Sequence, residues 1–258
     1  MCHRDECDHR KSDRPDPARR KLLKLLAAGG GLLVFPVGSL QASSAHEGGR
    51  GGDGPYWAYA VDTTRCIGCC ACMRACRDEN DVPEGVFRTW VERYRVTADG
   101  AVHVDAPGNP DFVFDPVDGD TAKAFFVPKI CNHCEKSVCN QVCPVGAAYR
   151  TEDGVVLVDH ETCIGCGYCV QACPYGSRFI NPKTHMADKC TFCYHRLGRG
   201  LAPACVQSCP RGARLFGDLN DPRSRLSVLL KQRRFRLLKP EMGTHPKCYY
   251  LGLDSEVV

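Results

Sequence analysis

Sixteen of the chain's twenty cysteines fall into four groups with a repeating internal spacing. They are Cys66-x2-Cys69-x2-Cys72-x3-Cys76, Cys131-x2-Cys134-x4-Cys139-x3-Cys143, Cys163-x2-Cys166-x2-Cys169-x3-Cys173, and Cys190-x2-Cys193 followed, after eleven intervening residues, by Cys205-x3-Cys209. Pro144, Pro174 and Pro210 close the last three groups, while Arg77 takes that place in the first. Such a sequence must wrap its loops around clustered thiols, so its apolar core need not be large. Two ordinary uses of cysteine fit poorly. Disulfide frameworks of small secreted domains do not repeat such gaps followed by Pro. Structural zinc usually takes two C-x2-C pairs per tetrahedral site, which does not account for the x4 and x3 gaps.

The spacing matches iron–sulfur ligation. A 4Fe–4S cube needs one thiolate on each iron, so the sixteen thiolates suggest four 4Fe–4S clusters, the wiring of an electron conductor. In a C-x2-C-x2-C loop the backbone wraps one cube, and Gly68 and Gly165 let the chain approach closely. The fourth cysteine, expected on or just before a helix, points the other way. In two-cluster ferredoxins it serves the neighbouring cluster, and the Pro after it helps turn the chain. An internal repeat supports the same architecture. Val61-Asp62-Thr63-Thr64-Arg65-Cys66-Ile67-Gly68-Cys69 is matched by Val158-Asp159-His160-Glu161-Thr162-Cys163-Ile164-Gly165-Cys166. The expected unit is strand, cysteine loop and helix, as in bacterial ferredoxins. The fold class is therefore α+β, two bacterial-ferredoxin-like two-cluster modules with an inserted β-hairpin region and a C-terminal extension.

Four cysteines remain. Cys70 offers a competing register, but only Cys69 gives both x2 gaps. Cys2 and Cys7 sit at the extreme N-terminus, and Cys248, before Tyr249-Tyr250, is expected to be a packed thiol. His133, inside the second group, suits a supporting or surface place better than a ligand's.

The N-terminus reads as an address. Ala18-Arg19-Arg20-Lys21-Leu22-Leu23-Lys24 leads into the apolar, Gly-rich stretch Leu25–Leu40, interrupted by Pro36, and small residues follow at Leu40-Gln41-Ala42 and Ser43-Ser44-Ala45. That stretch is short for a membrane span and resembles a twin-arginine export signal; the alternative is an uncleaved N-terminal anchor or surface helix. Export of a cysteine-rich chain is consistent with this route, which moves folded proteins with cofactors in place, because bare thiols would be oxidised outside the cytoplasm. The net charge of +4 is concentrated here. Residues 1–45 hold eight Lys/Arg and five Asp/Glu, leaving 26 basic against 25 acidic residues in the rest, no footprint for nucleic acid.

Residues 1–45 are thus a signal region, 46–55 a Gly-rich linker, and 56–258 the cluster-bearing body, with residues 76–130 inserted between groups one and two and residues 218–258 as the extension. Strands are expected at Tyr59–Thr63, Val155–Asp159 and Phe87–Val96, with a turn at Asp99-Gly100 into Ala101–Val104 and loop from Asp105 to Asp120. Asp221–Gln232 should be helical, with short edge strands at Arg233–Leu238 and Tyr249–Leu253, and no 20-residue apolar run appears from Asp218 onward. The Lys231–Arg236 run reads as a solvated face or a docking patch. No phosphate loop, nucleophile elbow or HExxH is present, so the protein is expected to be non-catalytic.

From Tyr59 onward the groups, their order and the insertion resemble the four-cluster iron–sulfur subunit of molybdopterin oxidoreductases, and within it the tetrathionate reductase branch. The resemblance rests on Arg65-Cys66-Ile67-Gly68-Cys69, Cys131-Asn132-His133-Cys134, Val170-Gln171-Ala172-Cys173-Pro174-Tyr175, Asp188-Lys189-Cys190-Thr191-Phe192-Cys193, Pro203-Ala204-Cys205-Val206 and Leu238-Lys239-Pro240-Glu241-Met242-Gly243-Thr244. It implies that group one pairs with group four and group two with group three. One cube would take Cys66, Cys69, Cys72 and Cys209, and its neighbour Cys190, Cys193, Cys205 and Cys76. In the other module one cube would take Cys131, Cys134, Cys139 and Cys173, and the last Cys163, Cys166, Cys169 and Cys143. Some relatives lack the third cysteine of group two and hold a 3Fe–4S cluster; with Cys139 present, four complete cubes are expected. The resemblance further implies two partners, a periplasmic molybdopterin catalytic subunit and an integral membrane quinol-oxidising subunit, with the protein peripheral on the inner membrane. A soluble exported polyferredoxin and the equivalent subunit of a formate dehydrogenase or hydrogenase are the competing readings.

Overall fold

The computed structural model describes residues 54–257, apart from 110 and 118; the expected signal region lies outside the described residues. In chain order the elements are β1 (Trp57–Asp62), α1 (Ala71–Asn80), β2 (Thr89–Thr97), β3 (Val102–Asp105), β4 (Thr121–Ile130), α2 (Val138–Gln141), β5 (Ala148–Arg150), β6 (Val156–Val158), α3 (Tyr168–Gln171), β7 (Arg178–Ile180), β8 (Ala187–Lys189), α4 (Tyr194–Leu197), α5 (Ala204–Gln207), β9 (Arg214–Asp218), α6 (Arg225–Gln232), β10 (Phe235–Arg236) and β11 (Cys248–Leu251).

β1 is buried along nearly its whole length because it is an inner strand of the sheet ordered β10-β11-β1-β9. Its two faces meet different partners, as the period of two in a strand requires. Tyr59 and Val61 join Cys248, Tyr250 and Phe192 in the core that also contains the cysteines. Ala58 and Ala60 turn to the other side, against Leu215, Leu226 and Tyr249, with Leu229 and Leu230 of α6 packed on them. Small residues there let the helix come close. At Gly217 an added Cβ would stand 2.8 Å from the Cβ of Leu226.

The region between groups one and two holds a three-stranded antiparallel sheet ordered β3-β2-β4. β2 and β3 occupy the hairpin expected around Asp99-Gly100, with Gly100 at φ 87. β4 was not foreseen. Pro128 interrupts its donors, which an edge strand tolerates, and its carbonyl accepts from the Tyr250 hydroxyl at 3.2 Å. The C-terminal expectation is corrected in one respect. β10 lies at the edge, but β11 is an inner strand, paired parallel with β1 (Tyr59 opposite Cys248) and antiparallel with β10. Tyr250, Cys248 and Leu251 are buried because that strand closes the sheet between them.

The helices of the cysteine loops also differ from expectation. In groups two, three and four the third cysteine lies within a single helical turn (α2, α3, α5), and the fourth follows that turn instead of sitting on or before a helix. Pro comes next in all three, and it restricts the residue before it away from the helical region. Arg77 imposes no such stop, so α1 runs on to Asn80 and carries both Cys72 and Cys76. α1 packs against α5, and α2 against α3. Group one is thereby joined to group four and group two to group three. Among the described residues no helix is long and apolar enough to cross a membrane.

Candidate metal centres

The eighteen described cysteines are free thiols, and their groupings define cavities. One is walled by Cys66, Cys69, Cys70, Cys72 and Cys209, with Arg65 and Arg214 in its lining. A second is walled by Cys76, Cys190, Cys193 and Cys205. A third is walled by Cys131, Cys134, Cys139 and Cys173, with His133 and Arg178 beside them. The three cavities are of similar size. Each unites thiols from two sequence groups, as the crossing of the fourth cysteine requires. Of the five remaining thiols, Cys143, Cys163, Cys166 and Cys169 lie on or beside the packed pair α2 and α3, and Cys248 is in β11. Among the described residues no three Cys, His, Asp or Glu gather closely enough for a single ion.

The loops that present these thiols depend on backbone that other residues resist. Gly165 has φ +69, and a Cβ there would overlap the carbonyl oxygen of His185; a Cβ at Gly68 would strike the Phe126 ring. Polar hydrogens then converge on sulfur. The Ala213 amide donates to Cys209 Sγ at 3.2 Å, the Phe192 amide to Cys190 Sγ at 3.3 Å, and the Ala187 amide to Cys163 Sγ at 3.5 Å. Asn80 Nδ2 stands 3.7 Å from the sulfurs of both Cys76 and Cys193. The Tyr59 hydroxyl and Cys205 Sγ are 3.3 Å apart. Cys70 also lines the first cavity, with its thiol donating to the Gly68 carbonyl at 3.4 Å.

Burial decides the protonation of most of these thiols. Burial pushes the Cys66 thiol up to about 11, with Cys72 and Cys209 adding repulsion. Burial likewise pushes Cys134 up to about 12 and Cys205 to about 11, and raises Cys190 strongly. Cys143 runs the other way: the backbone amides of Ala148, Val145, Ala147 and Gly146 outweigh its burial and lower it. Loading with iron must therefore displace protons from most of these thiols.

Around the thiols stand buried donors without acceptors. All three guanidinium nitrogens of Arg178, Nη2 of Arg214 and Nε2 of His133 make no hydrogen bond. A buried charge left unpaired is costly, and the sulfides and thiolates of a 4Fe–4S cube are acceptors with net negative charge. The donor sets and these orphaned cations fit that group. Of the two places expected for His133, supporting or surface, the structure shows the supporting one: it is fully buried, its ring stacks on Phe192 at 3.6 Å between centroids, and Nδ1 accepts from the Val156 amide at 3.0 Å. Burial, aided by Lys189 and Lys247, holds it neutral. Cys248 is buried as expected.

Sequence reasoning missed Arg178, Arg214, Asn80 and Tyr59. A signal for the arginines was present. Cys173-Pro174-Tyr175-Gly176-Ser177-Arg178 and Cys209-Pro210-Arg211-Gly212-Ala213-Arg214 place each of them five residues after the last cysteine of its group.

Comparison with known proteins agrees with this geometry. The 4Fe–4S dicluster domain matches twice, over residues 65–147 and 122–219. A tetrathionate reductase subunit of Salmonella typhimurium is 43% identical over 248 residues, covering 94% of this chain and 91% of that protein. A polysulfide reductase chain of Wolinella succinogenes is 38% identical over 202 residues, 75% of this chain and 95% of that one. Protein NrfC of Escherichia coli is 42% identical over 199 residues, 76% and 81% respectively. Fold and thiol sites define an iron–sulfur protein of the 4Fe–4S dicluster type. This protein belongs to the family of iron–sulfur electron-transfer subunits represented by these relatives, and it is not a catalytic subunit.

Proposed function

We propose that this protein is the electron-transfer subunit of a tetrathionate, polysulfide or related sulfur-compound reductase complex, carrying four 4Fe–4S clusters between a membrane quinol-oxidising subunit and a periplasmic molybdopterin catalytic subunit. The observation that carries the reading is the crossing of thiols between groups in the three cavities. Cys66, Cys69, Cys72 and Cys209 would hold one cluster, and Cys76, Cys190, Cys193 and Cys205 the next. Cys131, Cys134, Cys139 and Cys173 would hold the third, and Cys143, Cys163, Cys166 and Cys169 the fourth. Each cluster, when bound, accepts and returns one electron at a time.

The residues favour an ordered row. Cys72 and Cys76 sit one turn apart on α1 and link the Cys66 and Cys190 sites. The His133 ring of the Cys131 loop stacks on Phe192 of the Cys190 loop within one buried cluster, which makes the Cys131 site the next neighbour. Arg178 then lines the Cys131 cavity from β7, which packs against the α3 turn that carries Cys169. The inner Cys190 site is formed by buried thiols, whereas Cys69 and Cys166, at the two ends, are exposed. Ile67 and Ile164 beside them are 54% and 65% exposed, apolar surface placed where partner subunits would cover it.

Export by the twin-arginine route belongs to the same proposal, supported by Arg19-Arg20 and the apolar stretch after it. Anaerobic purification of the full chain tests the reading. Roughly 16 iron and 16 sulfide per chain are expected from four cubes, and Cys139→Ser should alter one centre by EPR. Zinc in place of iron, or four unchanged centres in the variant, would overturn it. Cell fractionation of the parent and of a variant with Arg19 and Arg20 both changed to Lys tests the address.

A further inference from the structure

Two arginines occupy equivalent, unusual places. Arg178 is 4% exposed and Arg214 3% exposed, and neither forms an ion pair with a carboxylate among the described residues. The carboxylate nearest to Arg178 in its hairpin, Asp188, is held instead by Arg88 at 2.9 Å. Arg178 opens β7 and lines the cavity of Cys131, Cys134, Cys139 and Cys173, and β7 packs against α3, the turn that carries Cys169 of the adjoining site. Arg214 opens β9 and lines the cavity of Cys66, Cys69, Cys72 and Cys209. Its Nη1 donates to the Tyr59 hydroxyl at 3.3 Å, and that hydroxyl lies 3.3 Å from Cys205 Sγ of the adjoining site. One guanidinium thus stands between the two sites of each module.

A guanidinium cannot shed its charge at these depths. Burial works against both charges, and the thiols around them more than offset it: Cys139, Cys131 and Cys169 for Arg178, Cys72 and Cys205 with Tyr59 for Arg214. Reduction adds a further negative charge to a cube that is already anionic, so a fixed cation alongside favours the reduced form, as do hydrogen bonds to its sulfurs.

We propose that Arg178 and Arg214 are positioning residues that each hold one buried positive charge between two adjacent clusters and raise the reduction potentials of that pair. The proposal rests on the four-cluster reading and adds to it which residues set the potentials, module by module. Lost charge at Arg214 lowers the Cys66 and Cys190 centres and spares the other two. At Arg178 it lowers the Cys131 and Cys163 centres. The Tyr59 hydroxyl acts with Arg214 on the Cys190 centre alone.

The test is an EPR-monitored redox titration of the full-length, anaerobically purified chain, with each signal assigned through single Cys→Ser variants. Arg178→Met, Arg214→Met and Tyr59→Phe are compared with the parent. Downward shifts confined to one pair in each Met variant, and to one centre in Tyr59→Phe, support the proposal. Unchanged midpoints, or equal shifts in all four centres, overturn it. Should a Met variant fail to retain iron, Arg178→Lys and Arg214→Lys, which retain the charge, must keep the parent's midpoints while Arg178→Gln and Arg214→Gln lower them, and any other order overturns the proposal. Iron and sulfide content of the parent reports separately on the four-cluster reading, so the two ideas fail by different measurements.

Discussion

Gly165 and Gly167 are two residues apart in the same cysteine loop, both in the left-handed region at φ +69 and +78, yet the structure gives them different surroundings. A Cβ on Gly167 meets nothing within 4 Å, whereas one on Gly165 overlaps the carbonyl oxygen of His185. That carbonyl cannot easily move. The His185 amide donates to the Asn181 carbonyl at 2.8 Å, the Asn181 amide to the Met186 carbonyl at 2.8 Å, and Asn181 Oδ1 accepts from the Lys183 amide at 2.9 Å. Gly167→Ala should therefore cost only the left-handed term, about 1–2 kcal/mol. Gly165→Ala adds a forced backbone shift of about 1–3 kcal/mol, roughly a further tenfold in equilibrium terms. Loss of visible absorbance in mild denaturant under anaerobic conditions gives the rate of cluster loss, and EPR identifies the centre lost first. The expectation is that Gly165→Ala sheds the Cys163 centre early while Gly167→Ala stays near the parent. Equal damage in both variants would refute the close-approach argument and leave backbone dihedral preference as the whole cause.

Two further outcomes follow from particular contacts. Arg77→Pro should end α1 near Cys76, as Pro does in the other groups, at a cost of about 3 kcal/mol beyond Arg77→Ala. With the last turn lost, Asn80 leaves the sulfurs of Cys76 and Cys193, so the EPR signal of the Cys190 centre alone should change; a wild-type signal would show that the helix extension does not matter to the site. Burial depresses the Lys247 pKa to about 8, although its ammonium contacts the Gly154 carbonyl and lies 4.3 Å from the Tyr56 ring centroid. A lysine shifted down contributes stability above its unfolded value and loses it as pH falls through about 8. Lys247→Met should therefore compare least favourably with the parent near pH 10 and gain on it by up to about 3 kcal/mol toward pH 7. Urea midpoints at the two pH values measure this, and parallel profiles would contradict it.

How much could be read beforehand depended on the range of the interaction. Gly100 and its hairpin were legible because a turn and its flanking alternation are local. The length of α1 was legible in principle from Arg77 standing where three prolines stand elsewhere. β4 was not, since Pro128 argues against a strand until the edge position is known. Nor was the inner place of β11: Cys248–Leu251 carries only four residues, and its burial comes from a parallel pairing with β1, nearly two hundred positions earlier. For His133 the sequence left a supporting and a surface place open for the same reason, because nothing near it announces the Phe192 ring.

The spacing of cysteines, glycines and prolines was enough to determine which thiols present themselves together and what chemistry they suit, because a C-x2-C-x2-C loop is a local geometric object. Tertiary structure decided that Cys209 shares a cavity with Cys66, and Cys76 one with Cys190, pairings that spacing by itself left open. Those relations span more than a hundred residues, and they exist only once helix packing and sheet closure have fixed the distances over which charge acts.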